Sequence, residues 1–136
     1  MTDDRYQRGM ATRREVLGAP HVDAAVAATT DFSAPFQEFI TGAAWADVWS
    51  RPGLDRRTRS CITLALVAAL HCDGERPMHV RAAVRNGLTG AEISEILLHT
   101  AVYAGVPAAN TAFRIAQTTL ADLGDPTAQP PTAPPG

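Results

Sequence analysis

The chain contains no lysine: all twelve of its basic residues are arginine. Schiff-base catalysis by a lysine is thereby excluded, as is a lysine-bearing phosphate loop. Cysteine is nearly absent, and the spacing of Cys61 and Cys72 forms neither a disulfide framework nor a zinc cluster. For Cys61 a buried thiol is the expectation. Charge of one sign is missing as well. A net charge of −2, with acids and bases interspersed, gives no basic field to neutralise a run of phosphates, so nucleic acid is not an expected partner. No apolar run approaches the roughly 20 residues that span a bilayer. The opening Met1-Thr2-Asp3-Asp4-Arg5 carries no apolar stretch of the signal-peptide kind. The expectation is a cytosolic protein with no membrane partner.

Aromatic residues make up 6% of a chain that is 46% hydrophobic. The apolar excess is largely alanine, which favours closely packed helices over strands of branched residues. The fold class expected is all-α, with six or seven helices in one compact bundle. A length of 136 residues suits a single domain. Charged and apolar positions alternate at helical spacing from Arg5 to Leu17, and Gly18 ends that helix. An alanine-rich helix follows from Pro20 to about Thr30, then a third from Pro35 to Trp49 behind a Ser33 cap, stopped by Arg51-Pro52-Gly53. Asp55 is the N-cap expected for a core helix from Arg56 to His71. A helix from Glu75 to Asn86 stops at Gly87, and Thr89-Gly90-Ala91-Glu92 is a capping box for one reaching Tyr103. Gly105-Val106-Pro107 breaks the chain before Ala108 to Leu123. Residues 1–123 are therefore the expected folded domain. The proline-rich residues 124–136 lack aromatic and branched aliphatic side chains and are expected to be a loose tail. Helices apolar on more than one side predict a homo-oligomer.

The stretch from Cys72 to His79 carries the chemistry. A dithiol oxidoreductase of the CxxCxxxH kind needs a second sulfur three residues after the first, and here that position is Glu75. Glu75 and His79, four apart, face the same way on a helix. They read either as a proton-transfer pair or as a plain surface pair.

Five blocks resemble the 4-carboxymuconolactone decarboxylase family of the alkylhydroperoxidase-D-like superfamily, in the family's order and over about Tyr6 to Leu123. They are Tyr6-Gln7-Arg8-Gly9-Met10, the run from Thr30 to Gln37, the run from Trp49 to Ser60, the run from His79 to Gly87, and the run from His99 to Asn110. Cys72 and His79 fall on the first cysteine and the histidine of the superfamily's redox motif, and Glu75 replaces the second cysteine as in the decarboxylase branch. The chain departs from the family's usual pattern at Asp47, in Trp45-Ala46-Asp47-Val48-Trp49, and at Arg76-Pro77. The resemblance implies the superfamily's helical fold assembled as a hexamer. The activity it implies is the loss of carbon dioxide from 4-carboxymuconolactone to give 3-oxoadipate enol-lactone in protocatechuate breakdown, the β-ketoadipate route, with no cofactor and no metal.

On that reading His79 is the proton donor and Glu75 orients or charges it. Arg57, Arg59 and Arg81 are candidates for gripping the substrate's carboxylates, since a guanidinium matches a carboxylate through two hydrogen bonds. Arg56, Arg57 and Arg59 cannot all share one helix face, so at least one is expected in solvent or in a structural ion pair. Trp45 is a candidate pocket wall and Trp49 a core residue. His99 and Tyr103, again four apart, are candidate donors to the lactone oxygen or packing residues. His21 is expected on a surface helix and His71 at a helix C-terminus. Three rivals remain: a thiol-dependent peroxidase partner of the same fold, a helical oligomer without catalysis, and a decarboxylase-like protein acting on another lactone or β-keto acid.

Overall fold

The computed structural model of the chain describes residues 4–131. They contain seven α-helices and no strand. The all-α expectation is met. The chain divides into two compact units, Met1–Arg59 and Ser60–Gly136, where length suggested one.

The N-terminal unit opens with α1, Asp4–Leu17, and α2, Ala19–Ala27, separated by Gly18, whose φ of 92° is open to glycine at little cost. α3, Ala34–Ile40, does not run on to Trp49 as the sequence suggests. It passes into a π-helical stretch, Thr41–Ala46, in which Asp47 N–H and Trp49 N–H reach back five residues, to the carbonyls of Gly42 and Ala44, both at 2.9 Å. The Thr41 hydroxyl donates to the Gln37 carbonyl at 2.7 Å, and such back-bonding bends a helix at a threonine. Ser33 is not the side-chain cap expected of it; its hydroxyl accepts from the Thr30 N–H at 3.0 Å.

α1 lies against the π-helical stretch. At Gly9 a Cβ would come within 2.2 Å of the Thr41 carbonyl oxygen, so only glycine permits that approach. The Ser50 hydroxyl donates to the Trp45 carbonyl at 2.8 Å and meets the Thr12 hydroxyl at 2.8 Å. Arg5 grips Asp47 with Nε to Oδ1 at 3.0 Å and Nη2 to Oδ2 at 2.6 Å, which holds the Asp47 carboxyl below its ordinary pKa.

In the C-terminal unit, α5 (Arg76–Arg85), α6 (Gly90–Ala104) and α7 (Val106–Asp122) pack with the greater part of α4 (Arg56–Ala69). The core joins Leu64, Val80, Ile93, Leu97 and Leu120 to Ala68, Ala83, Ala112 and Ala116, the small residues letting helices close on the large ones. Cys61 is half-buried at the edge of this core rather than inside it. Asp55 caps α4 as expected, accepting the Thr58 N–H at 2.7 Å. The Thr89–Glu92 capping box is present in both directions. The break before α7 is at Gly105 alone, with φ 102°; Val106 and Pro107 already belong to the helix, whose first turn needs no proline N–H.

The segment after α7 departs from the expectation of a loose tail from Gly124. Pro126–Ala128 form a short 3-10 helix capped by Asp125, Ala128 is buried in the core, and the Gln129 amide donates to the Ala121 carbonyl at 3.0 Å. One alanine and a capped turn suffice to hold it. Residues 132–136 of the expected tail lie outside the described residues.

Candidate functional site

α4 ends where His71 turns into the left-handed region, at φ 57°. Cys72 N–H then donates to the Val67 carbonyl at 2.9 Å, closing a Schellman-type stop with histidine in the place usually taken by glycine. The chain turns through Asp73 and Gly74, and Glu75 precedes α5 without using its side chain as a cap. That carboxylate is left to reach along the helix. Its Oε2 stands 3.9 Å from His79 Nε2, within ion-pair range and beyond hydrogen-bond length. The Glu75 side chain is 66% exposed and the His79 side chain 13% exposed, so a sheltered imidazole faces an accessible carboxylate.

Arg76 fixes this arrangement. Only 2% exposed, it turns back under the end of α4, donating from Nη2 to the Ala68 carbonyl at 2.8 Å and from Nε to the Val67 carbonyl at 3.3 Å. Nη1 pairs with Asp73 Oδ1 at 2.6 Å. A cation suits the negative end of a helix, and here it ties the loop and the start of α5 to α4. In the sequence Arg76 stands out only as a departure from a family pattern. The available signal was an arginine three residues after Asp73, directly following an apolar helix.

His99 and Tyr103 form a second pair, their rings stacked at 4.9 Å between centroids on the outer side of α6, with Tyr103 80% exposed. Arg81 is exposed on α5. It is two residues after His79, hence about 200° further round the helix, so within one chain the two do not share a face.

The other candidates belong to the N-terminal unit. Trp45 and Trp49 stack at 5.3 Å between centroids. Trp45 is buried at 6% exposure, while Trp49, expected in the core, is half-buried. The π-helical stretch rotates the two out of the register a regular helix would give. Of the three arginines that open α4, Arg56 makes the structural ion pair, with Glu15, and Arg59 Nη2 donates to the Arg51 carbonyl at 3.4 Å. Arg57 is exposed. His21 is exposed on α2 as expected. Among the described residues no three His, Cys, Asp or Glu side chains are grouped as metal ligands would be. No described helix is long and apolar enough to cross a membrane.

Residues 34–118 match the carboxymuconolactone decarboxylase family. The chain is 46% identical over 122 residues to 4-carboxymuconolactone decarboxylase of Acinetobacter baylyi, covering 90% of this chain and 91% of that protein. The chain belongs to this family. A second relative, nitrosuccinic acid decarboxylase of Metarhizium robertsii, is 42% identical over 120 residues, 88% of this chain and 84% of that protein. The segment matched to the family holds Trp45, Arg57, Arg59, Glu75, His79, Arg81, His99 and Tyr103; Tyr6 and Arg13 lie before it.

Proposed function

We propose that this protein decarboxylates 4-carboxymuconolactone to 3-oxoadipate enol-lactone in the β-ketoadipate route of protocatechuate catabolism, with His79 as the proton donor. The observation that carries the reading is the Glu75–His79 pair, placed where a thiol redox enzyme of this fold would need its second sulfur. The similarity to the Acinetobacter decarboxylase over most of both chains supports the substrate.

The chemistry suits these residues. The leaving carboxylate sits on a ring carbon conjugated through a double bond with the lactone carbonyl. When its carbon–carbon bond breaks, the electron pair moves through the ring to the lactone oxygen as a dienolate and carbon dioxide departs. A proton delivered to the carbon beside the lactone carbonyl then gives the enol-lactone. The ring is its own electron sink, and the protein's work is to hold the acid, stabilise the dienolate oxygen and deliver the proton. A sheltered imidazole is suited to that delivery, and the Glu75 carboxylate one turn away is the proposed group that orients it. Arg57, Arg59 and Arg81 are the proposed holders of the remaining carboxylate. His99 and Tyr103 are the proposed donors to the oxygen. Trp45 is the proposed wall of the substrate pocket.

The site is proposed to be completed by homo-oligomerisation, as a trimer or hexamer. Large apolar side chains left exposed on single helices, among them Phe36 and Phe39 on α3 and Val102 and Tyr103 on α6, support it. A cytosolic location belongs to the same reading, because both cysteines are free thiols.

A second substrate is favoured by the Metarhizium relative. In nitrosuccinate the carboxylate leaves from a carbon beside a nitro group, which accepts the electron pair as the lactone does. One site can serve either acid.

The test is an ultraviolet assay of purified protein on freshly generated 4-carboxymuconolactone and on nitrosuccinate, with His79→Gln beside it. Turnover of the lactone, falling at least a hundredfold in His79→Gln, is expected. Cys72→Ser should retain most activity. Turnover of nitrosuccinate alone would select the second substrate, and no turnover of either by folded oligomer would refute the decarboxylase reading.

A further inference from the structure

Arg13 lies in the interior of the N-terminal unit, 6% exposed, with Gly9, Thr12 and Val16 on the buried face of α1. Its Nη1 donates to the Gln37 amide oxygen at 3.0 Å, and its Nε is buried with no hydrogen-bond partner. Among the described residues no carboxylate forms an ion pair with it. Burial lowers its pKa, and the neighbouring Tyr6 opposes that shift. A buried cation with one neutral partner is far from electrostatic balance.

Arg13 is among the residues that line a cavity of about 320 Å³ between α1, the end of α2, α3 and Thr41. Tyr6, Gln37 and Arg13 contribute polar lining, and Met10, Val26 and Ala34 apolar lining. Glu38, exposed, lies on the same wall.

We propose that this cavity is a binding site for a small carboxylic acid with an apolar body, its carboxylate seated on Arg13. A guanidinium presents its donors in a planar fork that fits a carboxylate through two hydrogen bonds. One cation with a glutamate on the same wall favours a singly charged group over a phosphate. The volume is at the lower end of the range for small-molecule sites, which limits the ligand to a compact acid. The inference does not rest on the decarboxylase reading.

The experiment is calorimetric titration and thermal melting of the full-length protein with sodium butyrate, against sodium chloride at equal ionic strength. Saturable binding is expected, with a melting temperature that rises with butyrate and not with chloride. Arg13→Gln should weaken binding at least tenfold. Gln37→Glu decides the matter should Arg13→Gln fail to fold: it places a carboxylate against the guanidinium, so it should raise the melting temperature without butyrate and abolish the butyrate response. Glu38→Gln, which removes a negative charge from the same wall, should strengthen the response. No saturable binding by folded wild type, or an unchanged response in Gln37→Glu, would overturn the proposal. A butyrate response that appears only in Glu38→Gln, together with lower stability of that variant without butyrate, would do so too, by making Glu38 the counterion.

Discussion

Arg76 opens α5 and closes α4: its Nη2 donates to the Ala68 carbonyl oxygen at 2.8 Å from a position almost wholly shielded from solvent. One side chain thereby sets the geometry of the Cys72–Glu75 loop from which the Glu75–His79 pair extends. Arg76→Met keeps much of the volume and removes the donors to Val67, Ala68 and Asp73. A loss of about 2–4 kcal/mol is expected in urea unfolding. A change below about 0.5 kcal/mol, within the usual range of a surface substitution, would show that the contacts contribute little.

Gly9 meets the Thr41 carbonyl at a distance no Cβ can occupy, 2.2 Å. Gly9→Ala must push α1 away from the π-helical stretch, at a cost of roughly 1–3 kcal/mol despite alanine's better helix propensity. Chemical denaturation of the variant measures this. Stabilisation instead would mean that the two elements part freely.

His71 holds a left-handed backbone at φ 57° that glycine adopts without strain. His71→Gly should stabilise the protein by roughly 0.5–1 kcal/mol through a better helix stop, the gain in the folded state exceeding glycine's extra freedom when unfolded. Equal or lower stability in urea would place the strain elsewhere.

Acid should destabilise the fold through its capping carboxylates. Asp55 accepts from Thr58 N–H, Asp125 from Thr127 and Asp47 from Arg5, and each carboxyl is held below its ordinary pKa of 3.8 by those bonds. A depressed folded pKa gives stability that is present above the unfolded value and lost as pH falls through the folded one. The window is therefore below about pH 3.8. Asp55→Asn keeps an N-cap and removes the charge, so its melting curve should match wild type near neutrality and fall less steeply in acid. Superimposable acid limbs would exclude Asp55 as a contributor.

Much of the fold was legible from residues that act locally. Asp55 and the Thr89–Glu92 box announced two helix starts, Gly18 and Gly105 two breaks, and the spacing of Glu75 and His79 their common face. Those signals depend on neighbours within about one helical turn. The turn of α3 into a π-helical stretch was not legible, since it rests on the Thr41 hydroxyl choosing the Gln37 carbonyl where α1 presses close. The half-burial of Trp49, expected in the core, follows from that same stretch.

The sequence by itself determined the helical class, the caps at Asp55 and Thr89, the absence of a second redox thiol and the carboxylate–imidazole pair, because each depends on residue type and spacing of three or four. Only the tertiary structure decided which arginines are interior. Arg76 and Arg13 are indistinguishable from surface arginines by composition or periodicity. They are buried because the end of α4 offers carbonyls to one and the Gln37 amide meets the other, and both partners arrive only when the chain folds.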